Sequence, residues 1–186
     1  MTIQVKDKLF LAGERFITNS PGLPDKHVGI RKATDAEVEE LGLVATTACY
    51  RGYVATWQIS ERRLFLVGLR GVYAMRSRKP IFAQWATARL EVPMGRAIAT
   101  YSEYSCYRWE LRISVHEGRV SEAVVLDCLS ACSADAIAEQ KREDDFWKKL
   151  GEGSPNPVYP TLSMAVLRHE LGDVQKRAFS RADVFD

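Results

Sequence analysis

Residues 107–126, YRWELRISVHEGRVSEAVVL, determine the fold class. In the first nine residues, every second side chain is apolar or aromatic, and those between are charged or carry a hydroxyl group. This period of two is typical of a β-strand with one buried face. A turn at 116–119 and an apolar run at 120–126 complete a predicted hairpin. The inward positions are Tyr107, Trp109, Leu111, Ile113 and Val115, and the outward positions are Arg108, Glu110, Arg112 and Ser114.

The same period occurs upstream, in residues 44–59. The inward positions there are Tyr53, Ala55, Trp57 and Ile59. A turn at 60–62 and a second strand at 63–69 follow. Gly52 marks a bulge or a close approach of another backbone, as glycine inside a strand often does. We expect the inward residues Trp57, Trp109, Leu111 and Ile113 to share one core.

Two further segments complete the β-rich region. The N-terminal residues KDKLFLAGERFIT predict a hairpin that turns at Ala12 and Gly13, and a proline-containing loop at 19–27 follows it. Residues 81–92 alternate again, and Pro93 is expected to end that strand because proline cannot donate to a ladder.

Helices are predicted mainly near the C-terminus. Thr34 and Glu37 have the capping-box spacing and predict a short helix to Leu41, ended at Gly42. Ser133 can cap a longer helix that runs to about Leu150.

A linker with three prolines at 151–160 and a last helix over 161–179 complete the chain, with Gly172 as a weak point. The sequence therefore predicts an α+β fold. We expect a curved, mostly antiparallel sheet or half-barrel of about seven or eight strands, followed by C-terminal helices. Residues 1–150 form one predicted domain with a covering helix, and 151–186 form a linker and a helical tail.

Composition restricts the protein class. Of 186 residues, 46% are hydrophobic and 27% charged, with a net charge of +2, which is typical of a globular domain. A balance this even argues against a dedicated nucleic-acid binder. Charges at Lys6, Asp7 and Lys8 argue against a signal peptide, and no run approaches the roughly 18 uncharged residues of a membrane helix. We therefore expect a cytoplasmic protein with no membrane association.

The four cysteines are expected to be free thiols in a reducing compartment, without disulfide or metal. The alternative is a zinc site formed by Cys128 and Cys132 together with Cys106 and His116. Their spacing differs from the usual C-x-x-C knuckle, which favours small buried thiols.

Catalytic motifs are absent from the sequence: it has no G-x-S-x-G, Walker, G-x-G-x-x-G or H-E-x-x-H segment. Cys49 with His27, His116 or His169 is a candidate nucleophile and base, whereas a mid-strand cysteine is more often a core residue. We therefore expect no cofactor and favour a protein that is not an enzyme.

Arg51 is the unusual residue of its strand. It shares the inward parity of Tyr53 and Trp57, so we expect it to be buried and paired, with Glu110 or Glu91 as acceptor. Together with Tyr53, Arg108 and Glu110, it is either a structural strut or the floor of a pocket.

One basic and aromatic cluster occurs in the sequence. It consists of Arg70, Tyr73, Arg76, Arg78 and Lys79, followed by Phe82 and Trp85. Such a mixture suits single-stranded nucleic acid, because bases stack on rings and cations follow phosphates. A solvated basic loop at 71–80 is the favoured alternative.

The adjacent rings of Phe146 and Trp147 cannot both face one core. We expect one to pack and the other to lie at an edge or a contact.

Three segments, ACYRGYVATWQI, LFLVGL and PIFAQWATARLEVPMG, resemble a group of uncharacterised bacterial proteins. That group carries an A-C-x-R-G-Y-x-x-x-W-x-I strand, a hairpin and a P-x-F-A-x-W…L-x-x-P-x-G segment. The resemblance covers residues 7–126 and implies a bacterial, cytosolic, β-rich protein without an assigned activity.

Two functions remain open. The first is a non-catalytic factor that binds an unknown protein partner, as an accessory or immunity-type protein does. The second is a small enzyme or ligand-binding half-barrel with a cleft around Arg51. A deep pocket with converging polar groups favours the second, and a flat aromatic surface favours the first.

Overall fold

A computed structural model describes residues 5–40, 49–100, 105–151 and 158–180. The strands are β1 (Asp7–Leu11), β2 (Glu14–Thr18), β3 (Ile30–Lys32), β4 (Tyr53–Ser60), β5 (Arg63–Gly71), β6 (Tyr73–Met75), β7 (Ile81–Phe82), β8 (Ala88–Thr100), β9 (Ser105–His116), β10 (Arg119–Asp127), β11 (Val158–Tyr159) and β12 (Val174–Ala178). The helices are α1 (Asp35–Glu40), α2 (Ala134–Lys149) and α3 (Met164–Leu171).

Eight strands form a continuous mixed sheet in the order β11-β8-β9-β10-β5-β4-β1-β2. β12 adds in parallel to β10, β7 pairs with β5, and β1 lies parallel to β4. The sheet curls until β2 approaches β8, where Asn19 donates to the carbonyl of Arg89 and accepts from the amide of Glu91, each at 2.8 Å. The result is the expected β-rich α+β fold, with a nearly closed, barrel-like sheet and two helices in its C-terminal half.

The predicted inward faces form the core. Tyr53, Ala55, Trp57 and Ile59 of β4 are buried, as are Leu111, Ile113 and Val115 of β9. Trp109 packs against this core but is only half-buried. Leu167 and Leu171 of α3 and Val174 of β12 join the same cluster. The division of the chain at residue 150 stays a prediction, although residues on both sides of it contribute to one core.

The single strand predicted over residues 81–92 is two strands in the structure. Ile81–Phe82 form β7, a turn follows, and β8 runs from Ala88 through Pro93 to Thr100, so Pro93 does not end the strand. Proline fits inside β8 because the second neighbour, β11, pairs with β8 only at Gly95 and Arg96. The second edge of β8 at Pro93 therefore needs no backbone donor.

The last predicted helix is also shorter than expected. It ends at Leu171 because Gly172 adopts φ 89°, and the chain continues as β12. The strand expected to be the last, 120–126, is thus followed by two more. The basic loop contains the short strand β6, which pairs with β3.

The start of β4 explains the glycine in its sequence. The part of the predicted strand at 44–48 lies outside the described residues, and β4 begins at Tyr53 after a turn at Cys49–Gly52. Gly52 has φ 70°, and a Cβ added to Gly71 would overlap the carbonyl oxygen of Gly52. The predicted close approach of two backbones therefore occurs here.

The prediction that all four cysteines are free thiols was wrong. Cys106 and Cys132 form a disulfide. Because β10 returns antiparallel to β9, Asp127 lies opposite Trp109, and the turn after β10 then reaches the start of β9. The disulfide connects the first residues of β9 to the segment that precedes α2. None of the helices in the described residues is long and apolar enough to cross a membrane.

Candidate functional site

A buried carboxylate organises the strand that contains Arg51. Asp7 of β1 is fully buried. Its Oδ2 accepts a hydrogen bond from Trp57 Nε1 at 2.9 Å, and its Oδ1 accepts from the amide of Ala55 at 3.1 Å and from Arg51 Nη2 at 3.2 Å. We call Asp7, Arg51, Ala55 and Trp57 the Asp7 cluster. Its carboxylate is satisfied by three donors, as a buried charge requires.

Arg51 is paired, but its acceptor differs from the expected one. The side chain is 17% exposed, donates to Asp7 and the carbonyl of Val5, and lies 5.2 Å from the centroid of the Tyr53 ring. Glu110, one of the two expected acceptors, binds Arg112 at 2.7 Å. The expectation was wrong because it did not include β1, which lies beside β4.

The four residues proposed as one strut or pocket form two separate groups. Arg51 and Tyr53 lie together at the start of β4. Arg108 and Glu110 lie on β9, where Arg108 approaches Asp127 at 3.7 Å. The contacts of Arg51 are those of a strut, and the choice between strut and pocket floor stays a prediction.

Cys49 is buried, and its Sγ donates to the carbonyl of Tyr53 at 3.3 Å. His27 accepts from the amide of Gly29 and packs on Trp85, His116 ends β9, and His169 lies beside Glu170 on α3. No contact in the described part of the chain joins Cys49 to one of these histidines.

The zinc hypothesis requires free thiolates, but two of the candidate ligands are joined in a disulfide. Cys132 is bonded to Cys106, so it is not a thiolate ligand in this state. His116 lies at the opposite end of β9 from Cys106, about 30 Å along an extended strand. Within residues 5–40, 49–100, 105–151 and 158–180, no group of three or more His, Cys, Asp or Glu side chains is placed to hold a metal ion.

The basic and aromatic cluster does not form one surface. Its cations, Arg70, Arg76, Arg78 and Lys79, are exposed. Its rings pack in separate places: Tyr73 on Tyr53, Phe82 on Phe65, and Trp85 against His27 with its Nε1 donating to the carbonyl of Gly22. This arrangement favours the solvated loop over a stacking platform.

A cavity of about 230 Å³ lies where the ends of β8, β9 and β10 meet α3. We call it the mouth cavity. It is lined by Met94, Trp109, Val125, Thr161, Leu162, Ser163, Met164, Leu167 and Lys176. Two cations approach the Trp109 ring, with Lys176 Nζ 4.0 Å and Arg108 Cζ 5.3 Å from its centroid.

Strand register brings these residues together. Trp109 has the inward parity of Leu111, and Leu111 pairs with Val125 across β9 and β10. Because β12 lies parallel to β10, Lys176 is the partner of Val125 on the other side. The sequence prediction missed Lys176 because it assigned 161–179 to one helix. Gly172 is the sequence feature that could have shown that the helix ends before Lys176, because it ends the apolar helical pattern.

The rim of the mouth cavity is cationic. No carboxylate in the described part of the chain lies within 4.0 Å of Lys176 Nζ, whereas Arg108 has Asp127. Nearby, the rings of Tyr107 and Tyr159 lie 5.5 Å apart at an angle of 58°, and burial, with Tyr159 as neighbour, raises the pKa of Tyr107 to about 12. This phenol is therefore neutral at physiological pH and adds no negative charge.

A second hollow measures about 530 Å³. It is lined by Phe10, Ala12, Gly13, Gln58, Ile59, Ser60, Val67 and Glu170. Neither cavity includes Arg51 in its lining.

The two adjacent rings on α2 behave as the sequence indicated. Phe146 is 56% exposed, Trp147 is half-buried, and their centroids lie 5.6 Å apart.

No protein-family model, curated protein or solved structure matches the chain. The resemblance of residues 7–126 to a group of bacterial proteins stays a prediction. The chemistry of the mouth cavity and of the Asp7 cluster is therefore the ground for a functional proposal.

Proposed function

We propose that this protein is a non-catalytic binding protein whose binding site is the mouth cavity. The observation that carries the proposal is Trp109. It has the inward parity of its neighbours Leu111 and Ile113, which are fully buried, yet part of its surface is accessible to solvent. A large aromatic ring exposed inside an apolar concavity is typical of a ligand site.

The size of the cavity restricts what it receives. Ligand pockets for drug-sized molecules commonly measure about 300–1,000 Å³, and this cavity measures about 230 Å³. It suits one small apolar group, either a whole small molecule or the end of a partner protein's chain. The second source agrees with an accessory or immunity-type role, which stays part of the proposal.

The less supported alternative is a small enzyme or ligand-binding protein whose cleft is formed around Arg51. Its guanidinium donates to Asp7 and to a backbone carbonyl. Asp7 in turn accepts from Ala55 and Trp57. Groups committed to the fold in this way are poor candidates for substrate contacts.

A cavity-filling variant tests the proposal. Adding 1-octanol, a neutral apolar probe, should shift the indole N–H signal of Trp109 in an ¹H–¹⁵N NMR spectrum, with assignment from Trp109→Phe. Leu162→Trp should fill the cavity and weaken octanol binding at least about tenfold. Leu129→Trp, on an exposed turn outside the cavity, is the matched control. Equal binding by wild type and Leu162→Trp would contradict the proposal.

A further inference from the structure

We infer that the mouth cavity selects a ligand with an apolar body and a single carboxylate, an inference that rests on the proposed binding function. Of the residues that line the cavity, Lys176 is the one with an ionisable side chain. The other lining side chains are apolar, aromatic or hydroxyl-bearing.

The ammonium group of Lys176 is available to an anion. It lies over the Trp109 ring at 4.0 Å, and no carboxylate in the described ranges lies within 4.0 Å of it. A cation–π contact at an exposed site is a weak interaction, and it occupies one side of the ammonium. The remaining N–H donors can therefore bind an oxyanion while the ring contact persists.

The charge of the site matches a carboxylate better than a phosphate. The nearby guanidinium of Arg108 has Asp127 as its partner at 3.7 Å, which leaves one uncompensated positive charge at the rim. Phosphate groups carry about two negative charges and are commonly held by several cations or by guanidinium forks. A carboxylate carries one charge.

The apolar lining defines the rest of the ligand. Met94, Val125, Leu162, Met164 and Leu167 offer no charged partner. A volume of about 230 Å³ corresponds to roughly seven or eight groups the size of a water molecule, at about 30 Å³ each. An alkyl chain or an aromatic ring of that size fits the lining, and each methylene that it buries strengthens binding because apolar surface leaves water.

Two sources supply this chemistry. One is a free aliphatic or aromatic acid, and the other is the C-terminal carboxylate of a peptide that ends in an apolar residue. Both place an apolar body against Trp109 and an oxyanion at Lys176.

The test compares octanoate with 1-octanol by calorimetry or NMR at neutral pH. Octanoate should bind at least about tenfold more tightly to the wild-type chain. Lys176→Met should reduce this ratio to about one, because it should weaken octanoate binding at least about tenfold more than octanol binding. Lys79→Met, which removes an exposed lysine of the basic loop, is the matched control and should keep the wild-type ratio.

The outcomes separate the two proposals. If octanol binds but octanoate binds no more tightly, the carboxylate inference is wrong and the proposed function stands. If neither probe binds, the proposed function itself fails. If Lys176→Met retains the preference for octanoate, the assignment of Lys176 is wrong.

A second arm distinguishes the sources. The peptide Gly-Ser-Gly-Leu with a free C-terminal carboxylate is compared with its C-terminal amide. Binding of the acid form more tightly than octanoate assigns the site to a protein chain end, and weaker binding assigns it to a small acid. In both outcomes the carboxylate chemistry holds, provided that the octanoate preference is observed.

Discussion

The Asp7 cluster and the mouth cavity each combine a tryptophan with a cation, but only one of them is closed. Trp57 is fully buried, its Nε1 is hydrogen-bonded to Asp7, and Arg51 binds the same carboxylate. Trp109 is half-buried, and Lys176 lies on its ring without a carboxylate among the described residues. A buried charge must be paired to persist, so the cluster uses its polar groups for the fold, whereas the cation at the mouth cavity is exposed and can persist without a carboxylate partner.

The largest expected difference concerns the two rings. Trp57→Ala should lower the free energy of unfolding by about 3–5 kcal/mol because it leaves a cavity in the core and an unpaired Asp7 oxygen. Trp109→Ala should lower it by only about 1–2 kcal/mol because part of the Trp109 side chain already contacts solvent in the folded state. Urea denaturation measures both. Equal losses would show that the two regions are equally closed.

A smaller loss of unfolding free energy is expected when the Asp7 carboxylate is changed. Asp7→Asn should lower the free energy of unfolding by about 2–3 kcal/mol. Arg51 loses its counter-charge, and one of the three N–H groups that donate to Asp7 would face the side-chain NH2 group of the new asparagine. Asp127→Asn is the matched control at the exposed Arg108 pair and should cost less than about 1 kcal/mol.

A double-mutant cycle with Arg51→Met sharpens this result. If Arg51 is a strut for Asp7, the losses from Asp7→Asn and Arg51→Met should not add, because both remove the same pair. Fully additive losses would separate Arg51 from the cluster.

The smallest effect is expected at a third pair, which lies on the surface. Arg31 binds Glu37 of α1 at 2.6 Å, and hydrogen bonds from Arg31 and from Thr34 lower the pKa of Glu37 from 4.5 to about 2. A lowered pKa stabilises the folded state above the unfolded pKa, and this contribution is lost as the pH falls from about 4.5 through about 2. Because the pair is exposed, the change should be confined to α1.

Amide signals of α1, followed by NMR between pH 6 and pH 2, measure this loss. Glu37→Gln should show the acid-state signals of α1 at all pH values, whereas Glu39→Gln, on the same helix, should titrate as the wild-type chain does. A global unfolding transition in that window would contradict the local assignment.

The site was only partly predictable from sequence. Local alternation placed Arg51 and Trp109 on inward faces, because strand parity depends only on neighbouring residues. The acceptor of Arg51 was not predictable, because β1 and β4 pair in parallel across an intervening 41 residues between Leu11 and Tyr53. Lys176 was missed for the same reason: it reaches Trp109 only through the parallel pairing of β12 with β10.

The sequence by itself determined the α+β class, the hairpins at Ala12–Gly13 and at 116–119, and most of the inward residues of β4 and β9. Each depends on turn chemistry or on a period of two, which are properties of short segments. Only the tertiary structure decided that Cys106 meets Cys132, that Asp7 satisfies Arg51 and Trp57, and that Trp109 opens into a cavity. These contacts join residues distant in the chain, and long-range pairing follows from how all the strands bury their faces together rather than from any one segment.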